Sequence, residues 1–359
     1  MRLKELTLSG YRNYDRAELA FGDLTLFVGQ NAQGKTNILE AVSLCSTGRS
    51  HRTRRERELI GWEQPGCRVF ARVERLGGER TLEIELSRQE RRIIRVNGLP
   101  VRRLGEMMGV VNSVFFSPED LRLVKDGPGE RRRFMDMELS QVNPAYFYSL
   151  QAYQKILQQR NALLHNSQGA NFGDLLAVWD QQLVQEGMRI VEARRAFAQR
   201  LCQAAREIHA HLSGGREELA VRYEGDVEGD AEAFQNKLLR LRDQEQRRMT
   251  TLVGPHRDDL SIEINGVDAR SYGSQGQQRT AALALKLSEI VLMEQDIGEK
   301  PILLLDDVLS ELDESRQAML FDYVGSTQTL LTCTHFEAET LRRDALIYSV
   351  AAGRVTPLA

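Results

Sequence analysis

LTLFVGQNAQGKTNILEAVSL, Leu24 to Leu44, decides how the rest of this chain is read. Five residues of strand character run into Gly29-Gln30-Asn31-Ala32-Gln33-Gly34-Lys35-Thr36, and an apolar helix pattern follows from Asn37. The eight residues satisfy GxxxxGK[ST], the phosphate-binding loop. In such a loop the backbone N–H groups turn inward, and the helix behind adds the positive end of its dipole, so a phosphate sits there. The expected ligand is ATP. Lys35 is expected to reach its β and γ phosphates, and Thr36 to hold Mg2+.

A second stretch supplies the partner for the metal. PILLLDDVLSELD, Pro301 to Asp313, contains an apolar run that reads as a strand buried on both faces. Asp306 ends that run and is placed to join the Mg2+ shell. Asp307 follows and is the candidate to polarise an attacking water. Two carboxylates closing an edge strand is the plain alternative, and a phosphate loop elsewhere in the chain speaks against it.

The bulk numbers set the class. The chain has 359 residues, 42% apolar and 28% charged, with a net charge of −3. That is the composition of an ordinary globular protein large enough for two or three lobes. No run of about 18 apolar residues offers a membrane span, and MRLKELTLSGYRNY has no secretory architecture. A cytoplasmic protein is expected. Cys45, Cys67, Cys202 and Cys333 are scattered and form no CxxC pair, which fits reduced thiols. Arginine is clustered in RSHRTRRER (49–57), RQERRIIR (88–95) and Arg131–Arg133. Such clusters permit a local nucleic-acid face, or are simply solvated surface.

Periodicity divides the chain. Residues 1–101 are mostly strand, with VNG at 96–98 and INGV at 264–267 read as hairpin turns. From Tyr146 the spacing becomes helical, breaks at NSQGANFG, and resumes from Leu175 to Leu212, predicting two antiparallel helices. Helix is also expected over Ala231–Arg248, after an acidic loop. About 270 residues separate the phosphate loop from Asp306, far more than a βαβ unit of roughly 30 residues needs. The helical block is therefore an inserted lobe.

SYGSQGQQRTAALALKL, Ser271 to Leu287, then becomes legible. Read locally it is a loop and an N-cap. Ser274-Gln275-Gly276-Gln277-Gln278 also resembles the signature of ABC-type ATPases, one helix ahead of the aspartate strand. Ser310 and Asp313 resemble the loop after that strand, and His335 stands where the class has its switch histidine. In that architecture the signature of one chain closes on the γ-phosphate held by a second. An ATP-dependent homodimer is thus implied, with Gly276 allowing close approach and Ser274 donating to phosphate.

More specific residues narrow the class. Ser117-Pro118-Glu119-Asp120-Leu121, Lys125-Asp126-Gly127-Pro128, Arg131-Arg132-Arg133-Phe134-Met135-Asp136 and Gly254-Pro255-His256-Arg257-Asp258-Asp259-Leu260 resemble the hallmarks of the RecF family. GYRNY and STGRSHRT fit the same pattern. The resemblance implies an α/β fold, an ABC-type ATPase head like those of SMC proteins. Residues 1–115 and 296–359 would form the ATP-binding lobe, with mixed β-sheets around a helix. Residues 116–295 would form a mainly helical lobe carrying the signature. It further implies ATP-dependent DNA binding, slow hydrolysis, and recombinase loading at gapped DNA with RecR and RecO, in support of the SOS response. Arg12, Asn13 and Tyr14 would lie near adenine and ribose, Asn31 to Thr36 would hold the phosphates, and Gly29, Gln30 and Asn37 would complete the ATP-binding residues.

Two positions depart from the wider ABC pattern. Asp307 stands where many members have glutamate, and the lid glutamine is absent from SVFFSPEDL, where Ser117 or Glu119 would stand in. The DNA contacts expected are Arg49, Arg52, Arg54 and Arg55 on duplex or gapped phosphate backbone. Arg131–Arg133 and Arg257 are alternatively buried partners of Asp136, Asp258 or Asp259. No aromatic-interleaved strip suggests base stacking. The competing functions are a transporter-energising ATPase and a metabolic P-loop kinase. The first needs a membrane partner, and the second leaves Ser274–Gln278 idle.

Overall fold

The computed structural model describes residues 1–166, 172–334 and 344–358. Two sheets enclose the helix Lys35–Thr47. The first is antiparallel and runs, edge to edge, Tyr14–Ala20, Arg2–Tyr11, Gly66–Arg75, Gly78–Ser87, Ile93–Val96 and Leu99–Pro100. The second runs Arg354–Leu358, Leu346–Ala351, Leu24–Val28, Thr329–Cys333, Ile302–Asp306 and Ser113–Phe116, parallel but for its first strand. The C-terminal ends of Leu24–Val28, Thr329–Cys333 and Ile302–Asp306 therefore lie side by side, where an α/β sheet places its ligand.

The period of two decides which core each side chain joins. Ile302 and Leu304 pack with Leu6, Leu8 and Val69 under the antiparallel sheet. Leu303 and Leu305 point the other way and pack with Ala281, Leu285 and Phe134 of the helical lobe. The ILLLD strand is apolar on both faces because it serves both cores.

The helical lobe is built on Pro144–His165 and Phe172–Ser213, helices of 22 and 42 residues packed against each other. At 1.5 Å per residue they span about 33 and 63 Å. Both exceed the sequence expectation by a few residues at their ends. Pro128–Val142, Ala231–Arg248 and the 23-residue helix Gln275–Ile297 complete the lobe, with a small sheet of Leu219–Glu224, Asp259–Ile264 and Val267–Asp268. Both expected hairpin turns are present. Asn97 and Gly98, and Asn265 and Gly266, take positive φ between paired strands, the conformation a two-residue turn of this kind requires. No helix among the described residues is long and apolar enough to cross a membrane.

Candidate functional site

The phosphate loop leaves the strand Leu24–Val28 and enters Lys35–Thr47 through Gly34, which has φ of 117°. A Cβ at Gly34 would lie 2.6 Å from the Asn13 amide and 2.8 Å from the Tyr14 hydroxyl. A Cβ at Gly29 would lie 2.2 Å from the Val350 carbonyl. Both glycines are thus demanded by neighbours that press on the loop from outside. Lys35 folds back inside it, donating to the carbonyls of Gly29 and Gln30, the latter at 2.9 Å. Burial pulls the Lys35 ammonium below its ordinary value, opposed chiefly by Asp307. An incoming phosphate would reverse that shift, since an opposite charge favours the protonated amine.

GYRNY forms a clamp around the loop. Asn13 donates to the Gln33 carbonyl at 2.9 Å and accepts from Asn37 at 2.8 Å. The Tyr14 hydroxyl donates to the Gly34 carbonyl at 3.0 Å, with the ring buried beneath the loop. The hairpin turn Ala352–Gly353 holds Gln33 from the other side. Arg12, at φ 54°, sends both its ends to Glu40, which is wholly buried in the loop's own helix. Ser50 also donates to Glu40, and Arg52 bridges Asn37 and Glu40. Burial opposes ionisation of Glu40, yet these hydrogen bonds and charges together hold its carboxyl below the usual range. Sequence reasoning missed Glu40. The available signal was a carboxylate among Ile38, Leu39, Ala41 and Val42, where an acid demands a cation.

Asp306 closes the site 270 residues away in sequence. Its Oδ1 accepts from Thr36 at 2.9 Å and from Thr332 at 2.7 Å. Burial raises the Asp306 carboxyl, against those two hydrogen bonds. A hydroxyl and a carboxylate side by side at the mouth of a phosphate loop are hard oxygen donors of the kind Mg2+ takes, with substrate phosphates completing the shell. The residues present fit that ion. Asp307 follows with φ of 53°, uncommon for a residue with a side chain, and its N–H donates to Thr332 at 2.9 Å. The Ser310 hydroxyl donates to the Asp307 carbonyl at 2.8 Å, and Asp313 caps the helix Glu314–Val324. His335 lies outside the described residues.

The signature residues sit on the other lobe. Ser274 caps Gln275–Ile297, its hydroxyl accepting from Gln277 N–H at 3.3 Å while Gln277 Oε1 accepts from Ser274 N–H at 2.8 Å. Gln277 also donates to Glu217, and Gln278 is buried on the carbonyls of Ala269 and Arg270. Ser274 and Gln275 are exposed and Gly276 is half-buried. Among the described residues, the hydrogen bonds of Ser274, Gln277 and Gln278 stay within the helical lobe, whereas those of the loop run to residues 12–58 and 306–353. The capping box explains the local sequence and leaves the tip facing outward.

The hallmark arginines do structural work in part. Arg131 grips Asp259 through two bonds of 2.6 and 2.8 Å. Arg132 donates to the Asp258 carbonyl and Arg257 reaches the Thr251 carbonyl. The cation that binds Asp136 and Asp258 is Arg194, at 2.8 Å to each. Arg133 donates to the His51 carbonyl, joining the two lobes, and the His51 ring lies 4.0 Å from that of Phe115 within the ATP-binding lobe. Arg49, Arg54 and Arg55 are exposed, while Arg52 is drawn toward Glu40. Ser117 is tied to Asp120, and Glu119 is exposed beside Arg122.

A phosphate loop between two sheets, an aspartate pair on the neighbouring strand and a signature helix on a helical lobe define an ATPase head of the ABC and SMC class. Residues 2–354 match the RecF/RecN/SMC N terminal domain family. The chain is 46% identical over 360 residues to the DNA replication and repair protein RecF of Lachnoclostridium phytofermentans, covering 99% of both. It is 41% identical over 366 residues to that of Acetivibrio thermocellus, again covering 99% of both. The chain belongs to the RecF family. A solved structure of the recombination mediator protein RecF-ATPrS in the RecFOR pathway aligns with TM-score 0.93 at 34% identity, covering 100% of this chain and 98% of that one. The Smc head domain of Pyrococcus furiosus, with TM-score 0.57 at 17% identity and 99% and 96% coverage, shares the fold.

Proposed function

We propose that this chain is a recombination mediator that closes on DNA as an ATP-dependent dimer. The observation that carries the reading is the outward-facing tip at Ser274–Gly276, on a different lobe from Lys35 and Asp306. In a dimer each tip would cap the γ-phosphate held by the other chain, with serine hydroxyl and helix N–H groups as donors. Full-length likeness to RecF relatives, one solved as the mediator in the RecFOR pathway, supports DNA repair and replication as the setting, with RecR and RecO as partners. The same likeness disfavours a transporter subunit.

Within the site, Lys35 would neutralise the β and γ phosphates, while Thr36 and Asp306 would hold Mg2+. When bound, that ion would draw charge from the phosphate oxygens. Asp307 would orient and deprotonate the water. Its carboxylate stands one methylene short of the glutamate common in the class, so turnover is slow. Arg12 and Glu40 would keep the loop in shape, and His335 would act as the switch.

DNA would lie on the exposed arginines Arg49, Arg54 and Arg55, with Arg52 at their edge. The test is retention of DNA by the purified protein across a salt series. Retention with ATP but not without it, falling steeply with salt, is expected. Equal retention with and without ATP would overturn the reading.

A further inference from the structure

Trp62 is 97% exposed, the most of any large apolar side chain among the described residues. Single surface aromatics need no explanation, but this one is held in place. Gln64 N–H donates to the Gly61 carbonyl at 3.0 Å, closing a turn, and Gly61 N–H donates to Gly10 at 2.8 Å. The Arg88 guanidinium donates to the carbonyls of Gly61, Trp62 and Gln64 at 2.9, 3.3 and 2.9 Å. The Gln64 amide reaches Asp15 at 3.2 Å. A rigid turn thus presents an indole to water.

The surroundings are basic. Residues 49–63 and 88–92 hold eight arginines against four glutamates, in a chain of net charge −3. Glu56 is engaged by Arg92 at 2.7 Å and Glu58 by Thr53 at 2.5 Å. Glu63 stands in the turn itself, Arg54, Arg57 and Arg91 are exposed, and the 88–92 segment is tied to this one by Arg88 on the turn and Arg92 on Glu56. An aromatic ring among arginines is the composition of a single-strand platform, where cations follow phosphates and the ring stacks a base. A continuous duplex keeps its base faces stacked on one another, so the indole gains contact only where a base is unpaired.

The turn is also wired to the nucleotide site. Arg12 N–H donates to the Leu59 carbonyl at 2.7 Å, and its guanidinium donates to the Glu58 carbonyl and the Glu40 carboxylate. The residue that braces the phosphate loop therefore braces the segment leading into the tryptophan.

We infer that Trp62 stacks an unpaired base while the arginines of 49–57 and 88–92 hold the adjoining phosphates, so that this face distinguishes gapped DNA from continuous duplex. The inference rests on the DNA-clamp reading and sharpens it. With ATP present, binding would be measured for a blunt duplex, the same duplex carrying a gap of about 10 nucleotides, and oligo-dT, a length set by single-strand site sizes. Trp62→Ala should lose about tenfold on the gapped and single-stranded probes and less than about twofold on the blunt one, while Trp62→Phe keeps most of the affinity. The chain has two tryptophans, Trp62 and Trp179, so oligo-dT should quench a fluorescence component that Trp62→Ala lacks. Equal losses on all three probes, or none, would overturn the inference. So would loss of the ATP-dependent dimer with gap affinity intact, which would give the turn to a second copy. If wild-type protein retains no DNA with ATP, the clamp reading itself fails. If it retains DNA and Trp62→Ala binds the gap equally well, only the role of Trp62 fails.

Discussion

Arg12 and Glu40 form a two-pronged ion pair, 2.8 and 2.6 Å, between the turn that joins Arg2–Tyr11 to Tyr14–Ala20 and the helix behind the phosphate loop. Glu40 is wholly buried and the Arg12 side chain is 18% exposed. Removing the acid leaves Arg12 and Arg52 facing each other without a counter-charge. Glu40→Ala should cost about 2–3 kcal/mol, less than the loss of a fully buried pair because water still reaches Arg12. ATP affinity should fall by about tenfold or more, since the clamp that shapes the loop slackens. Denaturant midpoints and an ATP titration check both. An unchanged ATP affinity would remove the pair from the account of binding.

Asp307 adopts a left-handed backbone that asparagine also tolerates. Asp307→Asn therefore keeps the turn and removes only the carboxylate. Single-turnover hydrolysis should drop by about a hundredfold or more, with ATP affinity within about twofold of wild type. Undiminished turnover would refute its role as the base.

Histidines shape the response to acid: His209 is fully buried and held below its ordinary value by that burial, and His51 and His256 are half-buried. Burial lowers His51 to about 4 and His256 likewise to about 4, from an ordinary 6.5. His51 packs on Phe115, and the His256 ring is hydrogen-bonded to the Tyr153 hydroxyl and the Thr251 carbonyl. The unfolded chain binds these protons more readily than the folded one. Their contribution is complete above pH 6.5 and is lost as pH falls toward 4. Glu138 and Glu289, raised by burial, have the opposite sign and gain as pH falls. Comparing His51→Gln with wild type isolates the histidine term. Unfolding free energy measured across pH 7 to 4 should fall less steeply in the variant, and identical slopes would count against it.

The parts legible in sequence are those whose chemistry sits in one short stretch. Gly29–Thr36, Asp306 and Ser274–Gln278 each announce a backbone shape or a strand end. The hairpin turns at Asn97 and Asn265 were equally readable, because only a few residues accept positive φ. Pairing across the chain was less so. Nothing in EARRAF marks Arg194, rather than Arg195, as the partner of Asp136 and Asp258; the three-dimensional path of Phe172–Ser213 makes that choice. Trp62 was silent for a related reason. A lone aromatic in a turn reads the same whether it folds inward or, as here, is held out by Arg88.

The central claim is that each ATP is held by one chain and capped by another. Molar mass in solution, measured by light scattering with and without ATP on wild type and Ser274→Arg, tests it most directly. Wild type should pass from its chain mass of 40.8 kDa to twice that value on adding ATP. Ser274→Arg should still bind ATP yet stay at the chain mass, because the added guanidinium fills the space meant for phosphate. A wild-type protein that remains at the single-chain mass under saturating ATP would contradict the account.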